Sequence, residues 1–177
     1  MTLKLNIQMK TLKKKIKIMI SMIKNIITIA FISISFFGFS QKKELRSAQK
    51  LLDQSFFNEA LDVLSGIDNL IPNSDKKIQA QYYYLLGWAS KEDSKYNDAI
   101  KFLRKSIELD QLEKYSENSL ILINNVEIDL VNSAVEDNKN NDFLNGAKKL
   151  YDAYQISPSN KSNINYLYFS ASSYVNG

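Results

Sequence analysis

Trp88 stands one helical turn after Tyr84 and one turn before Lys91, and Gln81 continues the row by three residues. Spacings of three and four put all four side chains on one face of a helix. Exposed aromatic side chains such as Trp88 anchor recognition helices and extended peptides well. The plainer role for Trp88 is packing against a neighbouring helix. Turnover chemistry is poorly supplied, because the 177 residues include no Cys and no His. That removes a thiolate nucleophile, an imidazole base, a disulfide framework and the usual zinc or haem ligand sets. The carboxylate pairs Glu92/Asp93 and Glu136/Asp137 remain, but they lack the Asp-rich, Gly-containing loop of a calcium site. General acid-base work would rest on scattered carboxylates. No catalytic residue, metal ligand or cofactor is expected.

The elements that position this face are helices. After Ser40, Pro occurs only at Pro72 and Pro158, and Gly only at Gly66, Gly87, Gly146 and Gly177. No stretch alternates cleanly between apolar and polar residues within paired turn signals, so the chain is expected to be all-α.

Punctuation recurs along it. Phe57-Asn58-Glu59-Ala60, Tyr96-Asn97-Asp98-Ala99 and Phe143-Leu144-Asn145-Gly146 each run from an aromatic to a small residue, and twelve residues further on stand Pro72, Gln111 and Pro158. The aromatic would begin a second helix and plug the turn, the small residue would let two backbones approach, and proline would stop the helix. Leu86, Gly87 and Ala99 would form the close contact of the central pair, with Tyr83, Phe102, Leu103 and Ile107 filling its apolar stripe.

With this punctuation, residues 80–110, AQYYYLLGWASKEDSKYNDAIKFLRKSIELD, resemble one repeat of the tetratricopeptide (TPR) family, a helix pair of about 34 residues. The resemblance implies a right-handed α-solenoid of antiparallel helix pairs over 41–177, with repeats at about 41–74, 80–113 and 127–160 and a partial fourth at 163–177. An array cut within its fourth repeat is expected to continue in the natural protein. The distances from Ala60 to Ala99 and from Ala99 to Gly146, 39 and 47 residues, exceed the usual unit through 75–79 and 114–126. The second excess is expected to lengthen a first helix to about 115–137.

The resemblance further implies that first helices line a concave groove. Gln81, Tyr84, Trp88 and Lys91 would face it from the central repeat, Ile128, Val131, Val135 and Asn138 from the third, and Ile164, Leu167, Ala171 and Tyr174 from the partial fourth. This is an apolar, aromatic groove, to which at most one of Tyr82, Tyr83 and Tyr84 can contribute. Some members of the family hold a peptide carboxylate with Lys, Arg and Asn; here the matching positions carry Leu45, Gln49, Tyr84 and Trp88, which argues against a chaperone-tail adaptor.

Charge divides the chain at Ser40. The first 40 residues carry seven Lys and no acid, whereas the rest holds 16 basic and 19 acidic residues. The basic pI thus belongs to the leader, and no clustered basic surface for nucleic acid follows it. An uncharged run at 26–37, IITIAFISISFF, follows lysines and precedes Gly38-Phe39-Ser40, the pattern of a secretory signal peptide cut between Ser40 and Gln41. Met22 is a candidate for the true start. Export to the periplasm or medium is expected, and membrane contact only through an uncleaved leader, since a span needs about 20 largely apolar residues.

Two functions fit. One is a non-catalytic envelope scaffold that binds a protein or peptide in the groove; the other is a sensor or dimerisation arm for a catalytic module beyond Gly177.

Overall fold

The computed structural model describes residues 19–24, 41–110, 113–157 and 160–176. The chain divides into two units, 1–43 and 44–177. In the first, residues 19–24 and 41–43 are helical; the apolar run at 26–37 and Ser40 lie outside the described residues. No helix among the described residues is long and apolar enough to cross a membrane.

The second unit is all-α, as its composition demands. Helix α1 covers 44–53, and α2 follows at Phe57–Ser65, α3 at Lys76–Glu92, α4 at Tyr96–Leu109, α5 at Lys114–Lys139, α6 at Phe143–Ile156 and α7 at Ile164–Asn176. The three aromatic residues singled out above, Phe57, Tyr96 and Phe143, are the first residues of α2, α4 and α6. Each small residue three positions later is buried: Ala60, Ala99 and Gly146.

The turns before these helices share one backbone design. Ser55, Ser94 and Asn141 have φ of 63°, 57° and 61°. The next amide closes back over five residues, Phe56 to Leu51 O (2.9 Å), Lys95 to Ser90 O (2.9 Å) and Asp142 to Asp137 O (2.8 Å). Inside each lies a shorter bond, from Ser55 to Leu52 O, Ser94 to Lys91 O and Asn141 to Asn138 O. This nested pair is the Schellman motif, in which a left-handed residue satisfies the last carbonyls of a helix and reverses the chain. Short reversals between helices that pack side by side make α3/α4 and α5/α6 antiparallel pairs.

Close approach follows from small residues. A Cβ on Gly87 would lie 2.6 Å from Leu103 Cγ, and one on Gly146 would lie 3.0 Å from the carbonyl oxygen of Ala134. The expected contact at Gly87 is thus made with Leu103. Leu103 is fully buried, and the Tyr83 and Phe102 rings beside it stack at 6.4 Å.

Neighbouring pairs share cores. Leu45, Ala48 and Leu52 of α1 join Ala60 and Leu64 of α2 and Leu85 of α3 in one cluster. Ala99 and Ile100 of α4, Val126 and Leu130 of α5, and Ala153 and Ile156 of α6 form another. Hydroxyls tie the helices further: Ser106 Oγ donates to Ala80 O (2.9 Å), and Ser170 Oγ donates to Ala147 O (2.8 Å).

Pro72 does not stop α2. That helix ends at Ser65, and Pro72 lies inside a 3-10 helix, Asp68–Asn73. The earlier end brings Ile67 and Ile71 into the core and places Asp68 where it accepts a 3.0 Å bond from Tyr82 Oη. Gln111 and Pro158 lie outside the described residues. Both excess segments become helix: Asp75 caps α3 by accepting from the Ile78 amide at 2.9 Å, and α5 extends to 26 residues.

Candidate functional site

The first members of the helix pairs, α1, α3 and α5, converge on a cleft of about 390 Å³. Its walls are Arg46, Gln49 and Asp53 of α1, Gln81 and Tyr84 of α3, and Lys114, Tyr115 and Asn118 of α5. The local reason lies in α1. Its core stripe is Leu45, Ala48 and Leu52, and Arg46, Gln49 and Asp53 stand one residue further on, about 100° round the helix.

Two rings make the floor. Tyr84 and Tyr115 lie 5.8 Å apart between centroids, and Tyr84 lies 6.1 Å from Trp88. Burial, reinforced by the charge of Asp53 and by Tyr115, holds the Tyr84 hydroxyl above the usual tyrosine range. Burial also raises that of Tyr115, against the opposing field of Lys77 and with that of Asp110. Both phenols are therefore neutral donors at physiological pH. Gln49 Nε2 donates to Asp53 Oδ1 at 3.1 Å, which orients the carboxylate. Side-chain amides of Gln49, Gln81 and Asn118 come one from each helix.

No family model, curated protein or solved structure matches the chain.

The row of residues expected to face one groove is divided in the structure. Gln81 and Tyr84 line the cleft just described, although Tyr84 is only 8 % exposed. Trp88 is half-buried and packs on the core cluster that also takes Tyr115, Leu122 and Ile123. Lys91 Nζ bonds Asp129 Oδ2 of α5 at 3.0 Å and Glu92 Oε1 at 3.4 Å. Burial opposes its charge, but these two carboxylates outweigh burial and leave it above the usual lysine value. Val131 and Val135 line a separate cleft of about 460 Å³, with Phe143 and Leu150 of α6 and Tyr166 and Phe169 of α7. Asn138 lines it too and donates to Ser173 Oγ at 3.1 Å, whereas Ile128, Ile164, Leu167, Ala171 and Tyr174 are exposed.

The cleft that holds Gln81 and Tyr84 is polar-rimmed over an aromatic floor. Leu45, at a position matching the carboxylate clamp, is fully buried, and its neighbour Arg46 occupies the rim. Arg46, Asp53, Lys114, Tyr115 and Asn118 were not anticipated. The apolar spacing of Leu45, Ala48 and Leu52 was the signal that could have found the α1 residues.

A third cleft, about 850 Å³, opens on the other helices, between α2 and α4 above α3. Among the described residues no three carboxylates gather to hold a metal ion. The chemistry on offer in the first cleft is reversible hydrogen bonding and charge pairing over two phenol rings.

Proposed function

We propose that the chain is an exported helical-repeat scaffold of the tetratricopeptide kind, a right-handed solenoid that binds an extended peptide or protein segment across α1, α3 and α5 without catalysing a reaction. The observation that carries the reading is the convergence of first helices from three successive pairs on one cleft. Its lining suits a peptide. Carboxamides offer a donor and an acceptor each, which matches the alternating amide and carbonyl groups of an extended main chain. The neutral phenols supply apolar area with a polar tip, and Arg46 and Lys114 favour an acidic side chain over a basic one.

Support for the repeat architecture comes from the recurring turn at Ser55, Ser94 and Asn141, with its bonds repeated at each site. Export rests on the leader sequence, and a mature chain beginning at Gln41 by mass spectrometry is the expected result. For the cleft, partners captured from the envelope fraction are compared between the wild-type chain and Arg46→Glu/Asn118→Ala. Selective loss of one or a few partners, at unchanged helicity by circular dichroism, is expected. An identical partner set would sink the assignment of this cleft.

A further inference from the structure

The cleft of about 850 Å³ lies on the side opposite the first-helix groove in the repeat reading, and it carries a distinct pattern of charge. It exists because α2 is only nine residues long and gives way to the 3-10 helix at Asp68–Asn73. Helix α2 packs on α3, and a gap of about 850 Å³ is left between it and α4.

Its floor is the stacked pair Tyr83 and Phe102, whose rings are 6.4 Å apart with an interplanar angle of 22°. Its two walls have opposite signs. On the α2 side stand Asp62 and, in the 3-10 helix, Asp68; on the α4 side Lys101, Arg104 and Lys105 outnumber Glu108. Among the described residues no ion pair joins the walls: Lys105 bonds Glu108 of its own helix at 2.9 Å, and Lys101 lies 5.8 Å from the Phe102 ring centroid. A bound segment that presents a cation to one wall and a carboxylate to the other would complete both.

We infer that this cleft is a second docking surface, for a peptide segment in which an aromatic or branched aliphatic side chain is flanked by one basic and one acidic residue. The apolar side chain lies on Tyr83 and Phe102, the base meets Asp62 and Asp68, and the acid meets Lys101 and Lys105. Charge complementarity selects this occupant over a uniformly acidic or basic segment, because either of those repels one wall. The cleft has the volume of a drug-sized site, which gives room to the central side chain and its two charged neighbours.

The test is selection of a random dodecapeptide display library on the full chain, with affinities of the selected peptides measured by fluorescence anisotropy. Enrichment of sequences with Phe, Trp, Leu or Ile between a base and an acid is expected. Phe102→Ala should weaken them about tenfold, and Asp62→Lys and Lys101→Glu about fivefold each. Asp62 and Lys101 are exposed, so these reversals leave the core alone. Lys139→Gln, at an exposed position of α5 outside these clefts, should leave the affinity unchanged, and binding should weaken with salt. No enrichment, selected peptides without the charge pair, or affinities indifferent to both reversals would overturn the inference. So would peptides lost in Arg46→Glu/Asn118→Ala but kept in Phe102→Ala, which would assign them to the first-helix cleft instead.

Discussion

Tyr84 shows how one side chain can be both core and site. It is nearly buried, shares a cluster with Leu85 and Ala89, and still presents an edge to the cleft. Its hydroxyl is held neutral first by burial and then by the charge of Asp53. Folding thus favours the protonated phenol, so the stabilisation is complete below the unfolded value near 10.0 and is lost as pH climbs through the raised folded value. Wild-type melting temperature should fall steeply above pH 10, with Tyr82 and Tyr115 adding to the slope because burial raises them too. Tyr84→Phe should keep stability at pH 7 within about 1 kcal/mol and flatten that slope. Parallel melting curves for the two proteins between pH 8 and pH 11 would show that Tyr84 is not responsible. The three consecutive tyrosines were legible as pointing three ways: Tyr82 bonds Asp68, Tyr83 stacks on Phe102, and Tyr84 meets Tyr115. Which of them met solvent was not legible, because that depends on what α1 and α5 leave uncovered.

At the scale of the element, helix starts were easier to read than helix ends. Phe57, Tyr96 and Phe143 mark starts because an aromatic followed by a small residue serves the turn and the crossing at once. Pro72 misled because a 3-10 helix tolerates it while the buried Ile67 and Ile71 set the path of the chain. The α1 rim was lost by counting: carrying the Tyr84 position back by 39 residues reaches Leu45, which the apolar stripe of α1 requires for the core. The turns have their own energetics. Ser55 and Ser94 sit in the left-handed region at φ of 63° and 57°, where an L-residue is strained by about 1–2 kcal/mol. Glycine relieves that strain but loses more backbone freedom on folding. Ser94→Gly should therefore raise stability by about 0.5–1 kcal/mol, seen as a higher urea midpoint at constant slope. Asn141→Gly should gain less, since Asn visits this region more readily. Equal gains at both sites would show that Asn holds no advantage over Ser at this position, and the strain argument would fail.

Across the second unit, packing runs mostly from neighbour to neighbour, α3 with α4, α4 with α5, α5 with α6 and α6 with α7, and α3 also packs on α5. In the proposed repeat reading stability is a sum of local terms, and the burial in each helix is unequal. Helix α3 buries eight residues, among them Tyr82, Tyr84 and Leu85, whereas α7 buries Ser170 and Ser173 alone. Amide exchange should therefore be slowest in α3 and fastest in α7, with the local opening of α7 independent of global unfolding. The two buried serines that cross between helices allow a direct check. Ser106 Oγ bonds Ala80 O in the α3/α4 pair, and Ser170 Oγ bonds Ala147 O between α7 and α6. Each bond is worth about 1 kcal/mol net, which is about a fivefold change in the population of the open state. Ser170→Ala should speed exchange about fivefold in α7 and leave α3 unchanged, while Ser106→Ala should lower protection in α3 and α4 and the global unfolding free energy with it. Mass-spectrometric exchange resolves the helices separately. If Ser170→Ala instead lowered protection in every helix by the same factor, the unit would open as one cooperative block, and the neighbour-to-neighbour account of its stability would fail.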